Sequence, residues 1–212
     1  TAMCARNVEN VEIDINNNTE ALWFVIKNEI DFTIVGPEAP LANGLVDQFA
    51  RYEKLIFGPT KYATRLESSK IFARELMRGC NILQPRFIAC QSKNHAIATK
   101  EEIGLPIVVK ADGLAAGKGV IVCQTEKEFQ NALIKMFDEK VFGSASERVL
   151  VEECLRGEEL SLFAICDGAN YKIIGTAQDH KRIGEGDTGD NTGGMGAYSP
   201  TPLSTPELIK KV

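Results

Sequence analysis

Apolar positions along this chain fall into short β-branched runs separated by stretches of helical period. Phe32-Thr33-Ile34-Val35 and Leu55-Ile56-Phe57 read as strands, stopped by Gly36-Pro37 and Gly58-Pro59. Ala21, Leu22, Val25 and Ile26 make an apolar stripe on a helix that Thr19 is placed to cap and that runs to about Glu29. Leu45 to about Phe49 gives a shorter helix, and Val8, Val11, Ile13 and Ile15 alternate loosely enough for one short strand. Helix alternating with strand at this spacing predicts a parallel α/β sheet. Thr60 is placed to cap one further helix carrying Ala63, Leu66, Phe72, Ala73, Leu76 and Met77, with Lys70 just after Ser68-Ser69 and Gly79 at its end.

Beyond Pro85 the pattern changes. Phe87-Ile88-Ala89 predicts a strand and His95 to Ile103 a helix, ended by Gly104 and Pro106. Two apolar runs, Ile107-Val108-Val109 and Val120-Ile121-Val122-Cys123, then flank a loop of small residues and predict adjacent buried strands. Thr125 and Glu128 form a capping box for a helix with Phe129, Ala132, Leu133, Met136 and Phe137 on its buried face. After a loop at Phe142 to Ser146, the runs Val149 to Glu152, Leu160 to Ile165 and Lys172 to Thr176 predict an antiparallel meander, with Asp167-Gly168 as a tight turn. Ala177 to Pro202 carries almost no secondary-structure signal. Thr205 and Pro206 then open a last helix. The expected fold class is α/β followed by α+β.

Composition narrows the function classes. With 212 residues, 44% apolar, the chain holds one large or two small domains. A formal charge of -5 gives no global attraction to nucleic acid or to acidic membranes. No stretch reaches the length of a membrane span and no signal peptide is visible at Thr1. The six cysteines form no C-x-x-C pair, which suits free thiols in a reducing compartment, so cytoplasm is the expected location. His95 and His180 alone exclude a histidine-rich metal site. Nothing in the residues fixes the oligomeric state.

The loop between the two apolar runs concentrates candidate chemistry. It reads Lys110-Ala111-Asp112-Gly113-Leu114-Ala115-Ala116-Gly117-Lys118-Gly119. Small residues let backbone amides approach an anion and the lysines supply charge, so a phosphate-binding hairpin is expected. It departs from G-x-x-x-x-G-K-[ST]: Asp112 replaces the first glycine, Gly119 the hydroxyl, and a strand follows where a helix would. A plain glycine turn would give the same pattern. Lys110 ends a strand and can point at a phosphate. Val151 to Leu155 forms a strand end able to offer backbone groups to a purine, and Glu159 can accept two ribose hydroxyls. Glu38 follows Gly36-Pro37 at a strand's carboxyl end, where parallel α/β sheets bind ligands. The glycine-rich run from Gln178 to Gly196 suits a loop that wraps a polar substrate, although a disordered tail has similar composition.

Three blocks of sequence carry a resemblance. Val108 to Val120, Gln178-Asp179-His180-Lys181-Arg182 with Asp187 and Asn191-Thr192-Gly193-Gly194-Met195-Gly196-Ala197-Tyr198-Ser199-Pro200, and Val35 to Leu41 with Phe57 to Thr60 all resemble the phosphoribosylamine–glycine ligases (glycinamide ribonucleotide synthetases) of the ATP-grasp superfamily. The resemblance implies a partial Rossmann-like N-terminal domain over 1–66 and an incomplete ATP-grasp region over 67–212, with a small nucleotide-binding subdomain at about 86–155. It implies that Lys70 and Lys110 contact ATP and that Gly113, Gly117, Lys118 and Gly119 belong to the loop closing over its phosphates. Glu152, Glu153 and Leu155 would lie at the adenine and Glu159 at the ribose. Lys181, Arg182 and Asp187 would be catalytic; Glu38, Asp179, His180, Asn191, Thr192, Gly193, Gly194 and Met195 would line the site for glycine and 5-phosphoribosylamine. The implied reaction forms glycyl phosphate from ATP and glycine, and phosphoribosylamine then displaces phosphate to give the amide, a step of de novo purine biosynthesis.

The family ordinarily opens with a strand and glycine-rich turn ahead of anything seen here. Its Mg²⁺ (or Mn²⁺) ligands, a glutamate and an asparagine, are expected beyond Val212, so no metal ligand is assigned within the chain. The 212 residues alone are accordingly expected to be inactive. Two other readings remain: an ATP-grasp ligase or carboxylase with a different nucleophile, and a non-catalytic ATP-binding module.

Overall fold

The computed structural model describes residues 8–115, 118–186 and 188–212, with the backbone alone at 190 and 191. They fall into two compact units, one reaching Ala115 together with Gly119–Glu153, the other built on Cys154–Val212.

The first unit begins with α1 (Asn18–Lys27), β1 (Thr33–Ile34), α2 (Glu38–Ala42), α3 (Leu45–Arg51) and β2 (Ile56–Phe57). The cap of α1 is Asn17, whose side chain accepts from the Glu20 N–H, and not Thr19. Asparagine reaches that orphan donor as well as a hydroxyl does, so composition could not separate the two positions. The strands β1 and β2 pair in parallel, as expected, with Thr33 opposite Ile56. Ala21, Leu22, Val25, Leu45 and Phe49 bury the facing helix stripes.

The single helix expected after Thr60 is two: α4 (Arg65–Ser68) and α5 (Lys70–Gly79). Ser69, extended at φ -139°, ψ 107°, breaks the run and caps α5 by accepting from Phe72 N–H. Lys70 is therefore the first residue of a helix and not an interior one.

Next come β3 (Phe87–Cys90), α6 (Lys93–Ile103), β4 (Ile107–Ala111), β5 (Val120–Cys123), α7 (Glu126–Leu133) and β6 (Val149–Glu153). The capping box of α7 forms as predicted, and the helix runs on into a π-helical turn, Ile134–Asp138. The glycine hairpin is antiparallel, with Ile107 opposite Cys123 and Lys110 opposite Val120. One expectation fails: β6 is no part of the meander but sits between β3 and β4 in an antiparallel sheet of order β3-β6-β4-β5. It joins strands more than 35 residues upstream, a long-range pairing that no local pattern encodes. Period-two alternation then sorts its residues. Val149 and Val151 enter a core with Ile107, Val109, Phe129, Leu133 and Met136 under α6 and α7. Leu150 and Glu152 fall on the opposite face.

The second unit is a meander of β7 (Ser161–Cys166), β8 (Tyr171–Gly184) and β9 (Thr188–Tyr198), followed by α8 (Pro206–Lys211) with Thr205 as its cap. The stretch from Ala177 onward, expected to be irregular, is mostly strand. Cross-strand backbone pairing holds it, despite glycines that depress intrinsic β-propensity. Among the described residues no helix is long and apolar enough to cross a membrane.

Candidate functional site

The face of the four-stranded sheet away from its core carries charge. Val108 lies directly opposite Glu152 in register, which sets Lys110 one diagonal step away on the same face. The Lys110 Nζ reaches Glu152 Oε2 at 2.5 Å. From α5, Lys70 and Arg74 are four residues apart and share a helix face. Arg74 takes both oxygens of Glu152, Nε on Oε1 and Nη2 on Oε2 at 3.2 Å. Glu152 is almost fully buried, so its charge needs these partners. Because Arg74 already spans both carboxylate oxygens, the Lys110 charge is only partly compensated. That leaves cationic character at the end of β4, where a phosphate would meet it.

Lys70 is aimed at the loop's entry, its Nζ donating to the Gly113 carbonyl at 2.9 Å. Burial holds its pKa below the ordinary lysine value; Asp112 and Glu67 oppose that shift and Lys110 adds to it. The loop closes at its base through the Ala111 N–H to the Gly119 carbonyl, 2.8 Å. Both flanking glycines are required by space: a Cβ at Gly113 would stand 2.8 Å from the Ala145 Cβ, and one at Gly119 2.7 Å from the Ala115 Cβ. Lys118 is exposed. Gly117 lies outside the described residues.

Glu153 ends β6, and its carboxylate is bound by Arg86 through the backbone N–H at 2.9 Å and Nε at 3.0 Å. The Arg86 backbone donor, first of all, holds its pKa below the ordinary glutamate value. Glu38 begins α2 and is exposed. It does not line the apolar cavity of about 350 Å³ nearby, whose walls are Ile13, Phe24, Ile34, Val35 and Pro37 among others. Such walls offer nothing to a charged substrate.

The remaining expected residues lie in the second unit. Leu155 and Glu159 are in the non-strand stretch before β7, both exposed. Lys181 on β8 donates to Glu159 Oε2 at 2.8 Å and stands 4.0 Å from Asp179 Oδ2. The Glu159 bond raises its pKa. His180 stacks on the Tyr198 ring at 5.9 Å. Arg182 donates to the Gly189 carbonyl at 2.7 Å. Backbone register pairs His180 with Gly196 and Arg182 with Asn191, so Thr192, Gly193, Gly194 and Met195 bulge out opposite the single Lys181. Thr192 ties that bulge down, its hydroxyl donating to the Lys181 carbonyl at 3.0 Å and accepting from Gly194 N–H. Asp187 and the Asn191 side chain lie outside the described residues. Among the described residues no group of three or more His, Cys, Asp or Glu is set to hold a metal ion.

Four residues of the first unit's polar network escaped the sequence reading: Ser69, Arg74, Asp112 and Arg148. Arg74 had a usable signal, its i,i+4 spacing from Lys70. Asp112 and Arg148 had none, since both act across more than 35 residues of sequence.

Comparison with known proteins converges. The family model "Phosphoribosylglycinamide synthetase, ATP-grasp (A) domain" matches residues 68–212, and the N-domain model of the same synthetase matches residues 1–67. A phosphoribosylamine–glycine ligase of Pasteurella multocida is 48% identical over 97% of this chain and 48% of its own length. A crystal structure of the ligase from Thermotoga maritima is 32% identical, with TM-score 0.71 over 86% of this chain and 45% of that one. The biotin carboxylase domain of Hydrogenobacter thermophilus 2-oxoglutarate carboxylase, solved with MgADP, aligns at TM-score 0.74 over 92% of this chain and 43% of that one. At 16% identity, that last likeness shows the fold alone. The chain spans about half the length of the curated relatives it matches.

Proposed function

The chain belongs to the phosphoribosylglycinamide synthetase family, and on that footing we propose that the protein is an ATP-dependent carbon–nitrogen ligase joining glycine to 5-phosphoribosylamine. The products are glycinamide ribonucleotide, ADP and phosphate, and the place is de novo purine biosynthesis in the cytoplasm. The observation that carries the nucleotide half is that Lys70 bonds the entry of the glycine loop while Lys110, at the end of β4, is near enough for its charge to lower the Lys70 pKa.

Lys70 and Lys110 face the phosphates of ATP, and the amides of the loop from Gly113 to Gly119 close over them. Glu152 does its work through its side chain, holding Lys110 in place, while Leu155 and the strand end at Glu153 border the adenine. Glu159 takes the ribose hydroxyls and must release Lys181 to do so. Lys181 and Arg182 then meet developing negative charge on the acyl phosphate or the ribose 5-phosphate, where a preorganised cation is most effective. Asp179, His180, Asn191 and the Thr192–Met195 bulge serve glycine and phosphoribosylamine, and Asp187 and Glu38 are assigned to the same reaction. That domain covers 1–66 and the ATP-grasp region 67–212. Closure of the loop keeps water from the acyl phosphate. A divalent ion, Mg²⁺ or Mn²⁺, would supply further phosphate charge neutralisation when bound.

Substitution in the segment from Asp179 to Met195 tests the assignment. In the intact enzyme, Lys181→Ala and Asp187→Asn should leave ATP binding largely unchanged. Each should lower glycine- and phosphoribosylamine-dependent ADP release by on the order of a hundredfold. Near-wild-type turnover in both would remove the segment from the active site and leave an ATP-grasp ligase of another specificity.

A further inference from the structure

We propose that Asp112 is a positioning residue: it pins the entry of the glycine loop to the first turn of α5 and so aims Lys70 at the phosphates. The inference rests on the reading of Lys70 and the loop as a nucleotide site. Its basis is an unusual convergence. The Asp112 side chain is 1% exposed, as buried as any core residue, yet it is a carboxylate. A buried carboxylate is costly unless several donors meet it. Here three do. The Ser69 hydroxyl donates to Oδ1 at 2.9 Å and the Ile71 N–H to the same oxygen at 3.1 Å. Arg148 reaches Oδ2 at 2.5 Å. The Asp112 N–H in turn donates to the Arg148 carbonyl at 3.0 Å.

The arrangement has a direction. Ser69, Lys70 and Ile71 are consecutive at the start of α5, and each bonds to Asp112 or to its neighbour Gly113. Ile71 offers one of the N–H groups that a helix start leaves without an intrahelical partner. The carboxylate therefore satisfies the helix end and at the same time fixes where the loop leaves β4. Lys70 is held between, its Nζ already on the Gly113 carbonyl. A residue needed for packing alone would be apolar at such a burial. This one ties the first residue of a helix to the first glycine of a loop, the two elements whose relative placement decides whether lysine and loop amides meet one phosphate chain.

A double-variant cycle on ATP affinity separates positioning from plain stability, read by calorimetric titration of the intact protein alongside melting temperature. Lys70→Ala should weaken ATP by at least about tenfold, as loss of a charge-assisted contact does. Asp112→Asn keeps an acceptor for Ser69 and Ile71 but loses the charge facing Arg148, and it should weaken ATP by roughly tenfold as well. The double variant should bind ATP no more weakly than Lys70→Ala alone, because Asp112 acts through Lys70. Ser69→Ala, which cuts one donor from the same carboxylate, should show the same non-additivity with Lys70→Ala at about threefold. Because Ser69 also caps α5, Arg148→Ala, which removes only the donor to Oδ2, takes the place of Asp112→Asn if that variant does not fold, with the same non-additivity expected. Losses that multiply in the double variants would overturn the proposal, and so would unchanged ATP affinity in Asp112→Asn or Ser69→Ala while Lys70→Ala is impaired. Unchanged affinity in Lys70→Ala would overturn the nucleotide reading itself, and the inference with it.

Discussion

Two central strands of this protein live under different physical conditions. In the four-stranded sheet, Val149, Leu150 and Val151 of β6 are wholly buried. In the meander, Ile173 and Ile174 of β8 are 38% and 61% exposed. β6 pairs along its length with β3 and β4, whereas Ile173 pairs with β7 alone, Ile174 falls at a bulge, and β9 joins β8 only from Gln178 onward. Cover differs as well: α6 and α7 close one face over β6, and α5 brings Arg74 and Lys70 to the other. The candidate site inherits the difference. Around Glu152 the carboxylate is buried and held by both Arg74 and Lys110, a preorganised arrangement. Around Lys181 the contacts are an exposed ion pair and a glycine-rich bulge, the kind of surface that reorganises when a ligand arrives.

The largest expected effect tests the burial contrast directly. Phe129→Ala in the first core should cost about 3–5 kcal/mol, whereas Ile174→Ala in the meander should cost under about 1 kcal/mol. Amide exchange makes the same distinction without mutation, with Val149 to Val151 protected longer than Ile173 and Ile174. Comparable costs and comparable protection would mean that β8 is covered in solution.

Next in size is the preorganised site itself. Lys110→Ala should weaken ATP binding by roughly 1.5–3 kcal/mol, measured by calorimetric titration, because it removes a charge already directed by Glu152. Unchanged affinity would strip the sheet face of its phosphate role. Glu159→Gln should weaken ATP by about 1 kcal/mol and leave inorganic triphosphate unaffected, since only the nucleoside has ribose hydroxyls. Equal losses for both ligands would count against the ribose role.

The smallest effect is local to the meander. Hydrogen bonds from the Asn170 and Ala169 N–H groups depress the Asp167 pKa from 3.8 to about 2. A depressed carboxylate contributes stability that is complete above its unfolded value and lost as pH falls through its folded one. The β7–β8 turn should therefore hold at pH 4 and loosen as pH drops to about 2, followed by the Asn170 amide resonance. In Asp167→Asn that acid step should vanish; a step that persists would have another source.

Much of the candidate site was legible because its signals are local. The glycine hairpin announced itself through two β-branched runs around small residues, and the structure adds that Gly113 and Gly119 are glycines for want of space beside Ala145 and Ala115. Thr125 with Glu128, and Thr205 with Pro206, were readable because a cap and its partner lie within one turn. The strands from Ala177 to Tyr198 were not, because their glycines and polar side chains carry no alternation; cross-strand pairing alone makes them strands.

By itself, then, the sequence determined what forms within a few residues: helix starts, the hairpin, the order of lysine, glycine loop and carboxylate, and the family those blocks resemble. Only the tertiary structure decided which carboxylate meets which cation. Glu152, read from the sequence as offering backbone groups to a purine, has its side chain buried against Lys110 and Arg74 because β6 pairs between β3 and β4. The helix after Thr60 broke at Ser69, where its hydroxyl and the Ile71 N–H meet Asp112 some forty residues away. A buried charge must collect its partners wherever the fold brings them, and sequence distance places no limit on where that is.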